Sequence, residues 1–86
     1  MNFDNAEIGN SVMLIDAFPG DLIYEVDGSN KLLGKVKRIG CTDTDLEIFV
    51  EVYDSTDISH IGQIIRLFHK KGHSHYGPNL YRAIVK

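Results

Sequence analysis

Eighty-six residues, 43% of them hydrophobic, with eight glycines, two prolines and a formal net charge of −3, describe one folded domain over 1–86 and exclude a disordered chain. A domain this small buries only about 60–65% of the surface its unfolded chain exposes, which disfavours a deep substrate cavity and favours recognition at the surface. Every apolar run falls short of a membrane span, Met1–Glu7 carries acids where a secretory leader carries lysines, and the single cysteine, Cys41, leaves no internal disulfide, so a soluble cytoplasmic protein without membrane contact is expected.

Hydrophobic periodicity predicts strands throughout. The first is Ser11–Ala17, rich in Val, Met, Leu and Ile and closed by the turn residues Phe18-Pro19-Gly20-Asp21. Leu22–Val26 alternates and ends at Asp27-Gly28-Ser29-Asn30, a hairpin signal because Gly and Asn supply the positive φ such turns need. Leu32–Ile39 returns with Lys35 and Lys37 on one side and Val36 on the other. Leu46–Tyr53 is the clearest strand: Leu46, Ile48, Val50 and Val52 form an apolar face, and Glu47, Phe49, Glu51 and Tyr53 an acidic, aromatic one.

Between Asp54 and Ile61 a single helical turn is expected, capped by Ser55 or Thr56. A helix over Ile58–His69 is an alternative that Gly62 opposes. Gln63–Lys70 and Leu80–Val85 are expected to form a last hairpin across a Gly- and Pro-containing loop. The sum is an all-β domain with one short helical turn near 55–61. Five or six antiparallel strands in meander order would curl into a small barrel that removes most exposed edges.

The segment Gly20–Ile39 carries Gly20-Asp21, Ile23, Val26, Gly28, Gly34-Lys35-Val36 and Ile39 in an order that resembles the opening of an SH3-like barrel of the KOW or PRC-barrel kind. Leu32 stands where KOW proteins usually carry glycine, and the step from Gly28 to Gly34 is one residue short. The resemblance covers twenty residues. It implies a small barrel and a non-catalytic module of nucleoprotein or RNA-processing machinery, and it transfers no individual site residue.

Charge is divided unevenly along the chain. Residues 1–57 hold all twelve acids and four basic residues, whereas 58–86 hold no acid, five basic residues and all four histidines. A basic C-terminal hairpin is therefore expected to contact nucleic acid or another anionic partner through Arg66, Lys70, Lys71, His73, His75, Tyr76 and Arg82, the cations neutralising phosphate and the tyrosine stacking on a base. The bland alternative is that this segment balances the acidic strands. A second functional reading is a protein–protein adaptor or inhibitor, of the kind phages use, docking a basic protein partner through Glu47, Phe49, Glu51 and Tyr53.

A third reading is a small ligand or metal in the loop. His69, His73 and His75 are its candidate ligands, although their spacing matches no familiar metal pattern. No cofactor motif is present, and the pairs available for catalysis, Cys41 with a histidine or Asp54 with His60, lack any supporting motif. The chain reads as a non-enzymatic binding module, monomeric or homodimeric.

Overall fold

The computed structural model describes residues 1–72 and 77–86. They form one six-stranded antiparallel sheet with 3-10 turns and no α-helix. The strands are β1 (Ala6–Val12), β2 (Leu22–Asp27), β3 (Asn30–Cys41), β4 (Asp45–Ser55), β5 (Ile64–Lys70) and β6 (Leu80–Val85), in the sheet order β1-β6-β2-β3-β4-β5. No helix among the described residues is long and apolar enough to cross a membrane.

The four strands β2 to β5 follow the expected meander. Asp27 faces Asn30 across a two-residue turn in which Gly28 has a φ of 61°, the left-handed conformation that favours glycine at such turns. In β4 the inner residues Ile48, Val50 and Val52 are buried, as the alternation requires. They join Leu14, Ala17, Ile23, Leu32, Val36, Leu67 and Leu80 in one core cluster that draws on every strand from β2 to β6. One side of the sheet therefore lines a common core. No ladder joins β1 to β5 among the described residues, so the closing seam expected of a barrel is not among the pairings.

Three expectations are corrected. Ser11–Ala17 is not a strand: β1 ends at Val12, and Leu14–Asp16 is a 3-10 turn. The apolar run is there because Leu14 and Ala17 fill the core, while β1 itself lies at the sheet edge. Polar Glu7 and Asn10, with Gly9 between them, disguise that strand, and its register with β6 shifts between Ile8 and Ser11.

Second, β5 and β6 do not pair. β6 is inserted between β1 and β2, with Ile23 opposite Arg82 and Ala6 opposite Val85, whereas β5 pairs with β4. Third, the helical turn is the 3-10 turn Ile58–His60, and its cap is Asp57, whose Oδ1 accepts from Ser59 N at 3.1 Å. Thr56 instead accepts from Lys31 N at 2.9 Å and ties the turn to β3.

The outer side of the sheet carries a smaller core. Tyr24 and Leu33, partners across β2–β3, are buried with Ala6, and Phe3, Tyr81 and Ala83 pack on them. The N-terminal 3-10 turn Phe3–Asn5 is the lid, with Phe3 stacked on Tyr24 at 6.0 Å. Tyr24 OH donates to Ala6 O at 2.6 Å, and Phe3 N donates to Asp54 Oδ2 at 2.9 Å. Both faces of β2 are consequently buried over part of its length.

Candidate interaction face

The register of β3, β4 and β5 builds an outward face in rows. Phe49 stands between Arg38 and Arg66, Glu47 between Gly40 and Phe68, and Glu51 between Lys35 and Ile64. Alternation along each strand sends these side chains away from the core, so the acidic, aromatic face expected for β4 is present. A register shift between Val36 and Arg38 leaves Lys37 without a partner residue in the ladder, and its Nζ sits 4.0 Å from Glu51 Oε2.

Arg66 organises this face. Its Nε donates to Glu47 Oε1 at 2.7 Å and its Nη2 to Asp45 Oδ2 at 3.1 Å, while its guanidinium lies over the Phe68 ring at 4.3 Å. The Glu47 hydrogen bond, and the Asp45 one after it, push the already high guanidinium pKa further up. A Cβ at Gly40 would meet the Glu47 carboxylate at 2.9 Å, a contact that the flexible end of that side chain can relieve by shifting. One row over, the Arg38 guanidinium covers Phe49 at 4.0 Å. Tyr53 completes the strip, its phenol pKa raised by burial and by the neighbouring Glu51 carboxylate. Cation–aromatic contacts and carboxylates thus alternate on a surface where Ile64 and Phe68 remain exposed.

The residues expected to bind an anion are not gathered into one hairpin. Arg66 belongs to the face just described. Arg82 lies on β6, separated from β5 by three strands of the sheet, with its Nη1 3.5 Å from Asp21 Oδ2. Lys70 and Lys71 are exposed at the end of β5, where Lys71 N donates to Thr44 O at 2.9 Å. His73, His75 and Tyr76 lie outside the described residues.

His69 is partly buried against Gly77, and its Nε2 has no hydrogen-bond partner among the described residues. Among those residues no group of three or more His, Cys, Asp or Glu side chains converges as metal ligands would. For the pair Asp54 and His60, the described contacts of each lie elsewhere. His60 Nε2 lies 3.6 Å from Asp57, and Asp54 holds the N-terminal turn.

Sequence reasoning missed Arg38, Phe68 and Glu25. The first two are visible as polar-face residues of their strands, but only the cross-strand register says that they meet β4. Glu25 lies on the core side of β2, two residues from Ile23 and in register with the buried Leu32 and Leu80. Burial, and then the Asp27 carboxylate, raise its pKa, while His60 acts in the opposite sense. Comparison of the chain with protein-family models, curated proteins and solved structures returned no match.

Proposed function

We propose that this domain is a non-catalytic protein-binding module that docks a protein partner through the outer face of β3, β4 and β5. The observation that carries this reading is the state of Arg66: two carboxylates and an aromatic ring already engage it. A cation intended for phosphate presents free donors, and nucleic-acid affinity depends on counterions released by unpaired positive charge. The face instead balances Lys35, Lys37, Arg38 and Arg66 against Asp45, Glu47 and Glu51 around Phe49, Phe68, Tyr53 and Ile64. Aromatic residues and arginine are the side chains most enriched at protein interface hot spots. A face of interspersed opposite charges also selects a partner by complementary pattern.

Co-purification on the tagged protein, with bound protein and bound nucleic acid quantified separately, tests the reading. The expected result is a stoichiometric protein partner lost on Phe49→Ala and retained on the double charge reversal Lys70→Glu/Lys71→Glu. Nucleic acid as the main bound species, released by that double reversal and insensitive to Phe49→Ala, would overturn it and favour the lysines at the end of β5.

A further inference from the structure

The outer edge of β5 carries a second surface. Among the described residues β5 pairs with β4 alone. Val52 N donates to Gln63 O and Lys71 N to Thr44 O, both at 2.9 Å, and these two bonds set the phase of the ladder. In an antiparallel pair, residues that exchange hydrogen bonds with the neighbouring strand alternate with residues whose peptide groups turn away from it. Residues 65, 67 and 69 share the bonded phase of 63 and 71. Ile64, Arg66, Phe68 and Lys70 therefore direct their N–H and C=O groups outward. Arg66–Phe68 is one wall of a cleft of about 300 Å³, whose other walls are Glu25–Asp27 and Gly77–Asn79. Across it, Val26 N already donates to Asn79 O at 3.0 Å, so among the described residues the row of unpaired peptide groups belongs to β5.

Glu25 supplies the second observation. It is a half-buried carboxylate on the apolar side of its strand, and no cation lies within 4.0 Å of it or of Asp27 among the described residues. Withdrawing a charge from water without a partner is unfavourable. A cation arriving in the cleft would relieve that cost.

We propose that the cleft binds an extended peptide from a protein partner, which adds as a strand to the edge of β5 through the Arg66 and Phe68 main chain and sets a lysine or arginine on Glu25 and Asp27. Strand addition draws affinity from main-chain hydrogen bonds and specificity from the side-chain pockets beside them. A second copy of the domain does not suit the cleft. Its β5 would bring its own sheet, and Glu25–Asp27 and Gly77–Asn79 stand across the cleft where that sheet would have to lie. A lone segment needs only the cleft. The site shares Arg66 and Phe68 with the outer face but uses their main chain, and its other walls, Glu25–Asp27 and Gly77–Asn79, lie off that face.

Selection of a displayed library of random dodecapeptides on the full chain provides the probe, and the recovered peptide is then titrated while backbone amide exchange is followed. The expected peptide carries Lys or Arg and slows exchange at the Arg66 and Phe68 amides. Glu25→Gln should weaken its binding by about tenfold, the scale of a lost charge-assisted hydrogen bond, without lowering the melting temperature of the domain. Phe49→Ala should leave peptide affinity unchanged, which separates this site from the outer face. Three outcomes would overturn the proposal: no enriched peptide, a peptide bound equally by Glu25→Gln, or binding that leaves both amides exchanging as before.

Discussion

At Gly34 the missing side chain is a packing requirement. A Cβ there would come within 2.5 Å of Val50 Cγ1 and closer still to Glu51 O, so β3 and β4 can approach only with glycine at this position. Gly34→Ala is expected to destabilise the domain by about 1–3 kcal/mol, the usual range for overpacking, read as a lower urea midpoint. Tyr24→Phe removes the hydroxyl that bonds Ala6 O and should cost about 0.5–1.5 kcal/mol.

Glu25 gives a pH signature of defined sign. Burial raises its pKa in the folded state above the ordinary glutamate value, so the native protein binds the proton more tightly than the unfolded chain. Its contribution is most favourable below the ordinary value and declines as pH rises from there through the raised value. Glu25→Gln should abolish that decline, and the variant should gain on the native protein as pH is raised towards neutrality. Thermal melts of both proteins across the acidic range measure the difference.

Among the elements, the turn Phe3–Asn5 acts as a cover. Phe3 lies between the Tyr24 ring and the Lys31 ammonium, which is 4.6 Å from its centroid. Phe3→Ala should lose about 0.5–1.5 kcal/mol from the aromatic pair alone and expose Tyr24, visible as a shift in tyrosine fluorescence. Elements with strong alternation were legible in the sequence: β4 from its four inner aliphatics, β2–β3 from the Gly28 turn, and Leu80–Val85 to the residue. β1 was not, because an edge strand with Gly9 and Asn10 at its centre has little apolar pattern to read. β2 was legible as a strand but not in its facing, since Ile23 and Tyr24 are both buried on opposite sides. The candidate face was half legible. Glu47, Phe49, Glu51 and Tyr53 follow from period two within β4, but Arg38 and Phe68 reach them through cross-strand register, which on the β3 side depends on a bulge that no local signal marks.

For the molecule as a whole, the fold offsets part of the uneven distribution of charge along the sequence. Pairing β4 with β5 sets the acids Asp45 and Glu47 against Arg66, and the loop before β2 sets Asp21 against Arg82. Partner binding through the outer face should therefore weaken only modestly with added salt, in contrast to the steep logarithmic dependence of a phosphate-binding surface. Titration at two ionic strengths distinguishes them.

The position of β6 also governs how the domain can be assembled. Because residues 80–85 hold β1 to β2, β1 has no sheet to join until those residues have left the ribosome. A premature stop ahead of codon 80 would strand β1 and bare an edge of β2 together, leaving two unpaired segments liable to aggregate. Nascent-chain lengths that end before Leu80 should accordingly stay protease-sensitive, and resistance should appear abruptly once Val85 emerges.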